Sequence, residues 1–296
     1  MRIGIFSSFI EQDAFTLVNA ICSSVINGEI PNSRATFIFS NRERGESPVT
    51  DGILDEVASL GVPNVLAFSY KEFLPEEKKL ARKKEREEDD SSSIIAWRNK
   101  YGEEVMRRLP QTDIDLLLGD MTIWGENMCE GRTAINLHPA LPGGPQGGWY
   151  NVVWDLIENN ANETGVMMHF VTPVLDQGHP VAFCRFSIRG SRFDHLWEQL
   201  PENKGELREL IQEGRSQKEK ATNPLFRAIR EEGFIREIPL VIQTTKAFAQ
   251  GAVRVEGGLV IDRNGQVLKE GHDLTGPIDE IIKPKTEGNL PQKGMK

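Results

Sequence analysis

The sequence has few cysteines, and none is close to another. Cys22, Cys129 and Cys184 are the three cysteines in 296 residues, and their separations do not match the short spacings of metal-ligating motifs. We therefore expect small buried apolar residues in a reducing compartment rather than disulfides or metal ligands.

Long apolar runs are also absent. No stretch approaches the roughly 20 consecutive apolar residues that a membrane-spanning helix needs. The first residues, MRIGIFSSFIEQD, lack the longer apolar core and the cleavage site of a signal peptide. These absences predict a cytoplasmic protein without a membrane partner.

The chain has no surplus of positive charge. It carries 35 basic and 44 acidic residues, for a net charge of −9. Because phosphate backbones are bound by basic faces, we expect small-molecule substrates and no nucleic-acid partner.

A glycine-rich G-x-G-x-x-G loop is missing after the first predicted strand. That loop reads Ser7-Ser8-Phe9-Ile10-Glu11-Gln12-Asp13. Its composition argues against a dinucleotide-binding oxidoreductase, which places the cofactor pyrophosphate on such glycines.

What the sequence does contain is an alternation of strand and helix signals. Short apolar runs at Ile3–Phe6, Ala35–Phe39, Ile114–Gly119 and Thr133–Leu137 are separated by segments of helical periodicity. This pattern predicts an α/β fold with a mostly parallel sheet and flanking helices. Ligands of such sheets bind beyond the carboxyl ends of the strands.

The later part of the chain predicts a hairpin and a tail. Gly257-Gly258 separates two short apolar runs, which is typical of a β-hairpin. Residues 71–93 are dense in both charges and predict a solvated helix or a mobile insertion. We expect one domain over residues 1–270 and, because apolar residues are scarce after it, a flexible tail over 271–296.

The segment Asn136-Leu137-His138-Pro139 lies at the end of a predicted strand. Residues two apart in a strand point the same way, so Asn136 and His138 can face one site. An amide and an imidazole held on a rigid loop suit oxyanion stabilisation and general acid catalysis. Packing or capping roles are the alternative for these residues.

Asp176 is predicted in a turn between two strands, Thr164–Val171 and Val181–Ile188. A carboxylate at this edge can position water or relay a proton. The alternative is an aspartate that caps its own turn. We interpret His169 as a hydrogen-bonded histidine within a strand that supports the residues of the site.

Taken together, these stretches resemble the signature of the folate-dependent formyltransferase family. The pattern is Asn136-x-His138-Pro139, Thr164-Gly165, His169-Phe170-Val171 and Leu175-Asp176-x-Gly178. The resemblance covers about residues 1–70, 94–190 and 236–266, which makes 190–235 an insertion within one domain. It implies a Rossmann-like formyltransferase fold.

The resemblance also implies roles for individual residues, with 10-formyltetrahydrofolate as co-substrate and no metal. Asn136 and His138 would hold the formyl oxygen, and Asp176 would orient His138 or a water. The resemblance further implies that His169 and Thr164 support these residues. Contacts to the folate would come from Met121, Thr122, Ile123 and Thr172, and contacts to the acceptor from Ser7, Ser8 and Pro139.

The acceptor implied by the branch that this chain most resembles is glycinamide ribonucleotide, an intermediate of purine biosynthesis. Two departures concern that acceptor: the loop after the first strand lacks glycine and carries Glu11 and Asp13, and Phe234 stands where that branch has a carboxylate. Glu232 and Glu237 are the nearby candidates to replace it. An amino sugar, aminoacyl-tRNA or water as acceptor, and a non-catalytic ligand-binding protein on the same fold, are the alternatives.

Overall fold

A computed structural model describes residues 1–119, 124–216 and 223–283. Strands and helices alternate along most of this length, as the apolar runs predict. The strands are β1 (Arg2–Ser7), β2 (Arg34–Ser40), β3 (Val65–Ala67), β4 (Ile114–Leu117), β5 (Ala134–His138), β6 (Glu163–Phe170), β7 (Pro180–Ser187), β8 (Val253–Glu256), β9 (Leu259–Asp262) and β10 (His272–Asp273). The helices are α1 (Gln12–Ile26), α2 (Pro48–Ala58), α3 (Pro75–Glu87), α4 (Ser92–Arg108), α5 (Glu126–Gly131), α6 (Trp149–Glu158), α7 (Asp194–Trp197), α8 (Lys204–Ser216), α9 (Pro224–Ala249) and α10 (Thr275–Ile282).

Eight of the described strands form one sheet in the order β10-β7-β6-β5-β4-β1-β2-β3. Strands β1 to β5 run parallel to one another, whereas β6 is antiparallel to both β5 and β7. The predicted mostly parallel α/β sheet is confirmed. Its topology brings the carboxyl ends of β1, β4 and β5 to one edge.

Different helices pack on the two faces of this sheet. Ile3 and Ile5 of β1 belong to a core shared with α1 and α9, while Phe6 packs with Trp97 of α4 on the other face. Alternate residues of a strand point to opposite faces, so β1 is apolar on both sides. A pocket at the carboxyl edge can therefore be walled by α1 and α9 on one side and by α4 on the other.

The charged segment 71–93 contains helix α3, which packs along α4. Ala81 is buried in that contact, and the Lys78 ammonium lies 3.9 Å from the centre of the Tyr70 ring. The segment is thus a helix with a solvated outer face, one of the two structures that its composition predicts.

Helix α9 begins earlier than its sequence suggests. The sequence pattern predicts a helix from about Ile238 to Gln250, and this start is wrong, because the helix begins at Pro224 and continues through Pro239. The Asn223 side chain caps its first turn by accepting the Phe226 amide hydrogen at 3.0 Å. Proline cannot donate a backbone hydrogen bond, but packing of both halves of α9 against the sheet keeps the helix continuous.

The predicted hairpin is formed by β8 and β9, and Gly257 and Gly258 both have positive φ in its turn. The expected tail differs from the structure over residues 271–283. There, β10 pairs with β7 and α10 buries Leu274 and Ile278 against the sheet and α9. Two apolar side chains are enough to hold this segment in place, because the sheet and α9 provide the apolar surface against which they pack. Residues 284–296 lie outside the described part of the chain.

None of the helices in the described segments combines the length and the apolar character needed to cross a membrane.

Candidate active site

A pocket of about 360 Å³ lies at the carboxyl edge of the sheet. Its floor includes Asn136, His138 and His169, and Asp176 reaches it from the loop between β6 and β7. The volume is in the range of sites for small organic ligands. The residues that the sequence singles out for chemistry therefore meet in one cavity.

Asn136 and His138 occupy the last positions of β5. Asn136 pairs with His169 of the antiparallel strand β6, so the two side chains share one side of the ladder. His138 is 2% exposed, and its Nε2 hydrogen is donated to the carbonyl of Pro145 at 2.8 Å. In the neutral ring this leaves Nδ1 as the nitrogen that can accept a proton.

Asp176 does not serve as a simple cap of its own turn. Its Oδ2 accepts the amide hydrogen of Gly147, from the loop after β5, at 2.8 Å. The same oxygen lies 3.7 Å from Nδ1 of His138, and Oδ1 lies 3.5 Å from Nε2 of His169. The carboxylate thus lies between two imidazoles and ties two loops together.

The loop carrying Asp176 is held in a tight conformation. Asp176 has φ of +53°, in the left-handed region that aspartate tolerates better than most residues. Gly178 passes so close to the strand that a Cβ there would lie 1.6 Å from the carbonyl oxygen of Phe170. Only glycine fits, which explains the x-Gly ending of the motif.

His169 links Asn136 to this arrangement. Its Nδ1 hydrogen is donated to the carbonyl of Phe170 at 2.8 Å, so Nε2 can accept from the Asn136 amide nitrogen at 3.2 Å. An amide nitrogen has two hydrogens. One is used to orient the Asn136 side chain, and the second is left to bind a ligand oxygen.

Burial is the largest single effect on the pKa values of His138 and Asp176. Burial lowers the pKa of His138, and this outweighs the opposing effects of the Pro145 carbonyl and of Asp176. Burial raises the pKa of the Asp176 carboxyl, but the adjacent His169 ring, the hydrogen bond from the Gly147 amide and the attraction of the His138 ring when it is protonated bring that pKa below its usual value. The ordinary state near neutral pH is a neutral imidazole beside a carboxylate.

The other predicted site residues divide into three groups. Ser8, Pro139 and Thr172 line the pocket. Ser7 and Thr164 are buried and are not among its lining residues, and the Ser7 hydroxyl accepts the Phe9 amide hydrogen at 3.3 Å. Met121, Thr122 and Ile123 fall outside the residues that the structure describes.

Sequence reasoning missed two residues of the wall that α6 and α9 contribute, Trp149 and Arg230. Of the two candidate carboxylates, Glu237 lines the pocket and Glu232 is not among its lining residues, while Glu11 and Asp13 line it at the start of α1. Arg230 is far from the motif in sequence and lies in a segment read as an insertion. The charge pair Arg230–Glu237, two helical turns apart, was the available signal.

The opposite wall is largely apolar. Leu117, Trp124 and Val171 line it, with Arg98 of α4 nearby. The indole nitrogen of Trp124 is buried and has no hydrogen-bond acceptor among the described residues.

Comparison with known proteins gives structural likenesses alone, since neither a protein-family model nor a curated protein matches the chain. Phosphoribosylglycinamide formyltransferase (purN) from Coxiella burnetii, in complex with CHES, is 18% identical with a TM-score of 0.58, over 92% of this chain and 98% of that one. The phosphoribosylglycinamide formyltransferase of Brucella melitensis is 18% identical with a TM-score of 0.51, over 86% and 98%. Formyltetrahydrofolate deformylase from Burkholderia mallei is 13% identical with a TM-score of 0.51, over 88% and 69%. The chain therefore has the formyltransferase fold, as the sequence resemblance implies.

Proposed function

We propose that this chain, which has the formyltransferase fold, transfers a formyl group from 10-formyltetrahydrofolate to a primary amine. One observation carries the proposal. The carboxylate of Asp176, from a separate loop, lies between His138 and His169 and beside Asn136 in a pocket of ligand size. The two motifs meet as the chemistry of acyl transfer requires.

The proposed reaction forms one bond, breaks one bond and moves one proton. The amine nitrogen bonds to the formyl carbon, the formyl oxygen gains negative charge, and the bond from that carbon to N10 of the folate then breaks. One proton leaves the attacking amine, and N10 gains one. A site for this step needs a donor to the oxygen and a group that moves the proton.

Asn136 and His138 match these two needs. The second amide hydrogen of Asn136 binds the developing oxyanion, since the first is held by His169. His138 accepts the amine proton at Nδ1, because its Nε2 hydrogen is engaged by Pro145. The Asp176 carboxylate stabilises the imidazolium that forms, and the ring then returns the proton to N10.

The residues present fit a folate co-substrate. Leu117, Trp124 and Val171 form an apolar wall of the pocket that also contains Asn136. A pteridine ring has flat faces that suit such a wall. The folate would lie there, with its formyl group towards Asn136.

The proposal is tested by incubating the protein with 10-formyltetrahydrofolate and a panel of primary amines. Glycinamide ribonucleotide, the acceptor that the sequence resemblance implies, belongs in that panel. Mass spectrometry would identify an N-formylated product if the proposal is right. Release of formate without any formylated amine would indicate a hydrolase, and an unchanged folate would refute formyl-group chemistry at this site.

A further inference from the structure

The loop between β5 and α6 is rich in glycine. Residues 143–148 read Gly-Gly-Pro-Gln-Gly-Gly, and we call them the glycine loop. Two of its backbone groups contact the residues that the proposed reaction uses. The Pro145 carbonyl accepts the Nε2 hydrogen of His138 at 2.8 Å, and the Gly147 amide hydrogen is donated to Oδ2 of Asp176 at 2.8 Å. One short segment thus holds both the proposed base and its carboxylate.

The Gly147 amide makes the shortest polar contact of the Asp176 carboxylate within the described part of the chain. The two imidazole nitrogens that face this carboxylate are further away, at 3.7 Å for His138 and 3.5 Å for His169. These distances exceed those of ordinary hydrogen bonds. The backbone amide therefore orients the Asp176 side chain more strongly than either ring does.

The loop that carries Asp176 gives its side chain little support from packing. Val174 and Leu175, the two residues before it, are 55% and 52% exposed. Gly178 fixes the backbone two residues further on, where it passes close to Phe170. The direction of the carboxylate itself is left to its hydrogen bond with the glycine loop.

Gly147 has a backbone conformation that favours glycine. Its φ is +95°, in a region that glycine adopts freely and that alanine rarely does. An added Cβ would meet no described atom within 4 Å, its chain neighbours aside. Gly147→Ala would therefore strain the backbone without a steric clash. We expect the strain to turn the amide away from Asp176.

We infer that Gly147 is a positioning residue for formyl transfer, whose backbone amide fixes the Asp176 carboxylate beside His138. The inference rests on the proposed function. The attraction between a carboxylate and an imidazolium weakens as their distance grows. A displacement of about 1 Å can cost up to roughly a hundredfold in rate, so one lost hydrogen bond to Asp176 is enough to slow the reaction.

Gly190 offers a matched control away from the chemistry. Its φ is also +95°, its amide hydrogen is donated to Oδ1 of Asp194 at 2.8 Å, and an added Cβ would again meet no described atom within 4 Å. It is not among the residues that line the pocket. Gly190→Ala thus strains the backbone in the same way and weakens the same kind of hydrogen bond.

The first test measures single-turnover formyl transfer and folate affinity in the wild-type protein, Gly147→Ala and Gly190→Ala. We expect Gly147→Ala to slow transfer by about tenfold or more, with folate affinity close to that of the wild type. Gly190→Ala should transfer at the wild-type rate. Equal rates in all three proteins, an equal loss in both variants, or a loss confined to folate affinity overturns the inference while the proposed function stands.

The second test needs no substrate. Asp176 raises the pKa of His138, so displacing the carboxylate should lower that pKa, which NMR titration of the ring measures. We expect a lower pKa in Gly147→Ala, no change in Gly190→Ala, and little further change when Gly147→Ala is combined with Asp176→Asn. An unchanged pKa in Gly147→Ala, or an equal fall with and without Asp176→Asn, overturns the inference. The proposed function fails separately, if no amine at all is formylated.

A backbone substitution tests the Gly147 donor itself and also decides the inference if Gly147→Ala does not fold. Replacing the Gly147 amide by an ester removes the N–H group without adding a side chain. We expect the same slower transfer and the same lower pKa of His138, and neither effect for an ester at Gly190. Wild-type values for the ester at Gly147, in a protein whose circular dichroism shows that it is folded, overturn the inference.

Discussion

Nδ1 of His138 lies 3.7 Å from Oδ2 of Asp176, and both side chains are at most 5% exposed. The distance is too long for a direct hydrogen bond but short enough for a strong charge interaction in a buried site. The carboxylate therefore acts mainly when His138 carries a proton. That is the state formed when the attacking amine loses its proton.

Replacing Asp176 by asparagine tests this relationship. Asp176→Asn keeps the size of the side chain but removes its charge, so the imidazolium loses its stabilisation. We expect turnover to fall by a factor on the order of 10² to 10⁴, with little change in folate affinity. Steady-state rates and separate folate titrations measure the two effects. The exposed Asp55→Asn is the matched control, and near-normal turnover of Asp176→Asn would remove it from the mechanism.

Asn136→Ala deletes the proposed oxyanion donor. We expect kcat to fall by about a hundredfold or more, as for loss of one such donor, while the protein stays folded. Rapid-quench measurement of the chemical step checks the rate, and far-ultraviolet circular dichroism checks the fold. A drop confined to folate binding would instead make Asn136 a ligand contact.

The lowered pKa of His138 predicts a pH dependence of stability. The pKa of the unfolded imidazole is about 6.5, above that of the folded group, so the unfolded state binds more protons as pH falls below that value. Stability should therefore decrease from pH about 6.5 down through the folded pKa. Denaturant unfolding at several pH values measures this slope, which His138→Gln should reduce. Equal slopes in both proteins would contradict the assignment.

The segment after Gly271 gives a prediction about stability rather than catalysis. Ending the chain there removes the burial of Leu274 and Ile278, each worth about 1.5–3 kcal/mol. We expect Tm to fall by on the order of 10 °C, with formyl transfer retained at a temperature where the truncated protein is folded. Ending the chain after Lys283 keeps every described contact and is the control; equal Tm values for both truncations would show that α10 is dispensable.

The sequence predicts the sheet and the central site because both depend on local patterns. The apolar runs of β1, β2, β4 and β5 are continuous, and parallel strands bring their carboxyl ends together. The spacing of Asn136 and His138 places them on one side of β5. The partners of Asp176 follow from the family resemblance rather than from spacing, because they come from loops that meet only in the fold.

The sequence names Glu237 as a candidate, but it does not predict the pocket wall that α9 forms beside α1. Arg230 and Glu237 reach the pocket because α9 runs unbroken past Pro239 and packs beside α1. A proline within a helical pattern normally predicts a boundary, so the pattern divides α9 into two parts. Tertiary contacts, rather than the local pattern, determine the structure of this helix and of α10. At α10, Leu274 and Ile278 pack against the sheet and α9.

The central claim is tested most directly by single-turnover transfer of an isotopically labelled formyl group. The protein in excess is mixed with labelled 10-formyltetrahydrofolate and an amine acceptor, and the label is followed by mass spectrometry. The account predicts that the label appears on the amine nitrogen with the wild-type protein and with the control Glu231→Gln, an exposed residue of α9 outside the pocket lining. With Asn136→Ala and Asp176→Asn it should appear at least about a hundredfold more slowly. Label that stays on the folate, or that moves equally fast in all four proteins, would contradict the account.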